Sequence, residues 1–89
     1  MSHVVKRKGH KEEYDSRKVY ASVYAACLNV HMHQGEAELV ADKVANEIDG
    51  WVKTKGEVTA HEIFLSITQV LKKYNPDASF MYETHRDVS

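Results

Sequence analysis

Val4-Val5-Lys6-Arg7-Lys8-Gly9-His10-Lys11-Glu12-Glu13-Tyr14-Asp15-Ser16-Arg17-Lys18-Val19 is the stretch on which the fold turns. Val4 to Arg7 reads as a short strand. Lys8-Gly9 is a turn signal, because Gly accepts the positive φ that tight hairpins demand. His10 to Tyr14 returns as a second strand. Asp15 or Ser16 can then cap a helix. The stretch is therefore a basic β-hairpin running directly into helix one.

Outward from it, the pattern is helical. Val19, Val23, Ala26, Cys27 and Val30 recur at helical spacing, so helix one is expected over 16–29. His31-Met32-His33-Gln34-Gly35 reads as a polar loop. Helix two is expected over 36–51, with Val40, Val44, Ile48 and Trp51 on one face. Lys53-Thr54-Lys55-Gly56 reads as a second loop, and Glu57-Val58 as a short third strand. Thr59-Ala60-His61-Glu62 matches a capping box opening helix three. That helix should carry Ile63, Ile67, Val70, Leu71 and Tyr74 inward. Asn75-Pro76-Asp77 stops it and starts helix four, over 77–86, with Met81, Tyr82 and His85 partly buried. The expected fold is mainly α: a four-helix bundle capped at one end by a small β-hairpin or three-stranded sheet. It forms a single domain over 1–89, with the hairpin at 3–14 and the bundle at 16–87.

Composition narrows the function. At 89 residues the chain holds one small domain and one core. No apolar run approaches the roughly 20 residues that span a bilayer. The first six residues lack the apolar core of a secretory signal. The formal net charge is −1, which gives no overall pull toward nucleic acid or anionic lipid. Yet Lys6, Arg7, Lys8, Lys11, Arg17 and Lys18 crowd into thirteen residues. Such a local cluster suits a small anionic ligand better than a duplex, or else is a solvated basic face. The lone Cys27 cannot form an internal disulfide and fits a reducing cytoplasm; its spacing marks it as a small core residue. No Walker-type or dinucleotide-binding glycine motif is present. His31 and His33, the one close histidine pair, lack a third ligand and read as exposed loop residues. No nucleophile, base and oxyanion-donor set stands out, so neither a catalytic nor a metal site is expected.

The opening stretch resembles the ATP-cone family. The family pattern is V-x-K-R-x-G, then an acid, an aromatic or aliphatic residue, Asp or Asn, and K-[IV] on the first helix. Helix one, the Gly-Glu-Val-Thr run into helix three, and Tyr82 four residues before Arg86 agree in order and spacing. The resemblance covers nearly the whole chain. It implies a four-helix bundle under a small sheet, with the nucleotide beneath the sheet as under a lid. In the family this module is a regulatory appendage of ribonucleotide reductases and of the repressor of their genes, where it senses the ratio of ATP to dATP.

The resemblance therefore implies an adenine nucleotide, ATP or dATP, with Mg2+ carried on the triphosphate. Lys6, Arg7 and Lys18 are the cations expected on the phosphates: Arg as a planar fork, Lys as a point charge. Glu12 is an acceptor suited to the adenine amino group or the ribose. Val4, Tyr14 and Val19 can wall the base. Thr59 or its neighbours are implied at the site, where the start of helix three can add backbone donors. Each has a plainer reading: edge-strand charges for Lys6 and Arg7, a solvent-facing lysine at 18, a cross-hairpin ion pair for Glu12, a core position for Tyr14. Three positions depart from the family pattern. Lys8 replaces the usual turn Asp. Ala60 stands where a second small hydroxyl residue is common. Phe64 stands where a polar residue often follows the Ile, which bears on discrimination between ATP and dATP.

The expected function is a regulatory binding module without its own chemistry, linked to ribonucleotide reductase or its control. It acts through that enzyme or another protein in trans, or through self-association into a homo-oligomer. The start at Met1 inclines the reading toward a free-standing module. Two alternatives stay open: a protein-interaction bundle with a decayed nucleotide site, and part of a transcriptional regulator. The near-zero charge speaks against direct nucleic-acid binding.

Overall fold

A computed structural model describes residues 2–6 and 9–85. In chain order the elements are β1 (His3–Val5), β2 (Lys11–Glu13), α1 (Ser16–Asn29), α2 (Gln34–Lys55), β3 (Glu57–Thr59), α3 (Ala60–Tyr74) and α4 (Pro76–His85). Four helices form the body, and the three short strands form one sheet in the order β2-β1-β3. β1 and β2 are antiparallel, with Val4 opposite Glu12. β3 runs parallel to β1, with Val58 beside Val4. Helices α1 and α2 lie between β2 and β3, so the parallel strand comes from far along the sequence.

Local chemistry sets the boundaries. Asp15, not Ser16, caps α1: its carboxylate accepts from the Arg17 backbone N–H at 2.9 Å. At the far end of α1, His31 takes a φ of 64°, an unusual conformation for a non-glycine residue, and the Met32 N–H returns to the Cys27 carbonyl at 3.2 Å. The capping box of α3 is complete. Glu62 N–H donates to Thr59 Oγ1 at 3.0 Å, and Thr59 N–H donates to Glu62 Oε1 at 2.8 Å. The Asn75 side chain accepts from Ala78 N–H at 2.9 Å at the start of α4.

The second helix is longer than its apolar stripe predicts, running from Gln34 to Lys55 rather than 36–51. Lys53 and Lys55 are good helix formers, and their charges suit the negative end of the helix dipole. Gly56, at φ 72°, supplies the stop.

The core is built from the expected stripes. Val23, Cys27, Val44, Ile48, Val52, Ile67 and Leu71 are essentially sealed from solvent. Each large aliphatic among them contributes about 1.5–3 kcal/mol by burial. Ala37, Ala41 and Ala45 keep one face of α2 slim enough for close helix packing. Val4 and Val58 join this core from the sheet, which fixes the sheet to the bundle. Val30, the half-buried cap of α1, packs against this core as expected. Two expected inward positions lie elsewhere. Tyr74 lies beyond the packed length of α3, with its hydroxyl donating to Glu47 at 2.5 Å. His85, in the last turn of α4, is exposed. Ala78 and Ser79 are buried on α4 instead, and Ser79 Oγ donates to the Thr68 carbonyl at 2.7 Å. No described helix is long and apolar enough to cross a membrane.

Candidate functional site

A strand alternates its side chains between two faces. Val4 stands opposite Glu12 across the β1–β2 ladder, so these two share a face. Lys6 follows Val4 by two residues and Tyr14 follows Glu12 by two, which extends the same face at each end. Val4 is buried, so this face is turned to the bundle. Lys18 and Val19 approach it from the first turns of α1. The result is one cavity of about 260 Å³ lined by Val4, Lys6, Glu12, Tyr14, Lys18 and Val19. Its floor comes from the helices: Ser22 one turn beyond Lys18, Ala60 and Ile63 at the start of α3, and Tyr82 on α4.

Six of the eight residues expected at a ligand site thus meet in one place. Arg7 lies outside the described residues. Thr59 is exposed, and its hydroxyl is occupied in the capping box; the residue that reaches the cavity is its neighbour Ala60. Of the two positions that depart from the family pattern on α3, Ala60 lines the cavity. Phe64 faces an adjoining cleft of about 370 Å³, where it stacks on Tyr82 with ring centres 5.7 Å apart.

Glu12, Lys6 and Lys18 partner one another inside the cavity. Glu12 Oε1 lies 3.2 Å from Lys6 Nζ and 3.5 Å from Lys18 Nζ. The hydrogen bond from Lys6, with the nearby Lys18 charge, holds the Glu12 carboxyl below its ordinary pKa. Asp15 pairs with Arg17 at 3.2 Å, and its carboxyl is likewise lowered by that side chain. On the outer face of the sheet Lys11 pairs with Glu57 at 3.0 Å and ties β2 to β3 across β1.

Tyr14 stands between this cavity and a second one of about 480 Å³ bounded by Ser16, Asp49 and Lys53. Its hydroxyl donates to Asp49 Oδ1 at 2.6 Å, and Ser16 Oγ donates to Asp49 Oδ2 at 2.8 Å. Burial first, and then the Asp49 carboxylate, push the Tyr14 phenol well above its ordinary pKa. Its role as wall and its role as a packed, anchored residue therefore coincide. Asp49 was not legible as part of this arrangement from sequence, being 35 residues from Tyr14. Ser22 and Ile63 carried a faint signal: each lies one helical turn from a residue already placed at the site.

The scaffold, a cavity roofed by a sheet and floored by helix starts, with lysines at its rim, can hold a compact ligand having one apolar and one anionic end. A family model described as ATP cone domain matches residues 2–87. No curated protein matches the chain. The family match spans the sheet, all four helices and every residue around the cavity, and the chain belongs to the ATP-cone family, a class of regulatory, non-catalytic modules that bind adenine nucleotides as allosteric ligands.

Proposed function

We propose that the chain binds ATP or dATP in the cavity beneath the sheet and acts as a nucleotide sensor. The observation that carries this reading is the convergence of Lys6 and Lys18 with Val4, Tyr14 and Val19 on one cavity, from two strands and a helix. The apolar members receive the base. The lysines, together with Arg7, hold the phosphates, and Mg2+ arrives on the triphosphate. Glu12 accepts from the adenine amino group or the ribose. Thr59 contributes by capping α3, which fixes Ala60 and the first turn of that helix against the ligand. The cavity lies just under the roughly 300–1,000 Å³ of ordinary small-molecule sites. The nucleoside occupies this cavity, and the phosphates extend along the lysine rim.

A sensor needs a receiver. With no chemistry of its own in this module, nucleotide binding acts by changing a surface, through self-association or through another protein in trans. A cytoplasmic ribonucleotide reductase, or its regulator, is the receiver the family context favours. A ligand shifts such an equilibrium only by its differential affinity for the two states. Ala60 removes one hydroxyl from the cavity, which favours a small difference between ATP and dATP. Titration calorimetry with ATP, dATP and GTP tests the reading. Saturable binding of both adenine nucleotides, with GTP at least about tenfold weaker (about 1.4 kcal/mol), supports it. Equal binding of all three, or none, removes it.

A further inference from the structure

Both lysines at the rim of the cavity are engaged before any ligand arrives. Lys6 and Lys18 converge on the same oxygen of Glu12, at 3.2 and 3.5 Å. The carboxylate thus stands where a phosphate oxygen would be expected to stand. The Lys6 and Glu12 side chains are 40% and 38% exposed, so a ligand can reach them, and the ion pairs are weak enough to exchange. The other acids at the cavity, Glu13 and Asp15, add to the negative side, and Asp15 is itself held by Arg17.

We infer that Glu12 is a specificity gate: it occupies the phosphate-binding lysines of the free protein, and releases them only to a ligand whose nucleoside end gives the carboxylate a replacement donor. This rests on the nucleotide-site reading above. A bare polyphosphate must break two ion pairs and leave the Glu12 carboxylate facing a polyanion. A nucleotide breaks the same pairs but offers an N–H or O–H to the freed carboxylate, so the exchange is nearly balanced. The gate therefore works by penalising the wrong ligand rather than by adding a contact to the right one. It gives a site built from surface lysines a means of rejecting inorganic pyrophosphate and polyphosphate, whose charge alone matches the rim.

The test uses the full chain, with ATP and inorganic tripolyphosphate as the two titrants, in wild type and Glu12→Gln. The substitution keeps the size of the side chain at a half-exposed strand position, and circular dichroism checks the fold. Tripolyphosphate should bind Glu12→Gln about two- to thirtyfold more tightly than wild type, the span set by releasing two exposed ion pairs. ATP affinity should fall or stay level, so the preference for ATP over tripolyphosphate narrows. In a Lys6→Ala, Lys18→Ala background the same Glu12→Gln change should give no gain, because no cations remain to be released. Unchanged or weaker tripolyphosphate binding in Glu12→Gln, with ATP still bound by wild type, overturns the gate and leaves the nucleotide site standing. Wild type that binds no ATP overturns both.

Discussion

Tyr14 donates its hydroxyl to Asp49 at 2.6 Å, joining the end of the hairpin to the C-terminal half of α2. Ser16 donates to the other oxygen of the same carboxylate at 2.8 Å. One acid therefore holds both sides of the junction between sheet and bundle, and sets the angle at which Tyr14 walls the cavity. Tyr14→Phe should keep the wall and lose the anchor, costing about 1–2 kcal/mol of stability for a part-exposed hydrogen bond to a charged group. The sign with pH follows from the raised phenol pKa. The anchor's contribution is complete below the ordinary tyrosine pKa near 10, and is lost as pH rises from there toward the higher folded value. Urea denaturation of wild type and Tyr14→Phe at pH 8 and pH 11 reads this directly: the gap between them should shrink at the higher pH.

Beyond Val4 and the Tyr14 anchor at its end, the hairpin is held by short ladders and exposed ion pairs. β2 is an edge strand of three residues. Such segments open locally at low cost. Amide exchange at Lys11 to Tyr14 should be fast in the free protein and slow with ATP. Equal protection in both states would mean that the roof is already fixed without ligand.

Stability should respond to the core and ignore the exposed face of α4. Leu71 is fully buried, whereas Phe80 is 66% exposed. Leu71→Ala should cost about 2–5 kcal/mol, and Phe80→Ala no more than about 0.5 kcal/mol. Thermal denaturation of the two variants measures the contrast.

Thr59 separates capping from ligand contact. Thr59→Ala should cost about 0.5–2 kcal/mol of stability through loss of the cap. Glu62, whose carboxyl is lowered chiefly by the hydrogen bond from the Thr59 backbone, stabilises the folded state above the ordinary carboxyl pKa. That share fades as pH falls through its lower folded value. The stability gap between wild type and Glu62→Gln should therefore close in acid, as thermal scans from pH 7 to pH 3 would reveal.

Much of this was legible in the sequence because local rules and tertiary demands agree. The 3.6-residue recurrence from Val19 to Cys27 marked α1 to its observed ends, and Thr59 with Glu62 marked the start of α3. The family resemblance of the opening stretch grouped Val4, Lys6, Glu12 and Tyr14, which line one cavity. What escaped was non-local. Nothing in Glu57-Val58-Thr59 announces a parallel pairing with β1, which depends on where α2 ends. Lys53 to Lys55 read as a loop because their helix has no apolar residue there to show its period. Asp49 looked like one more exposed acid on a helix, since its partners are brought to it only by the packing of α1 on α2. Glu12 was readable as an acceptor or as an ion-pair partner of Lys6, but not as the shared partner of two lysines.

The most direct measurement is the ATP dissociation constant of the wild-type chain beside Lys6→Ala and Lys18→Ala, by titration calorimetry, with circular dichroism confirming that all three fold. Each lysine removed takes away one charge-assisted phosphate contact, expected to contribute about 1.5–3 kcal/mol in the bound state. Each variant should bind ATP at least about tenfold more weakly than wild type. ATP affinity unchanged in both folded variants would contradict the placement of the nucleotide beneath the sheet.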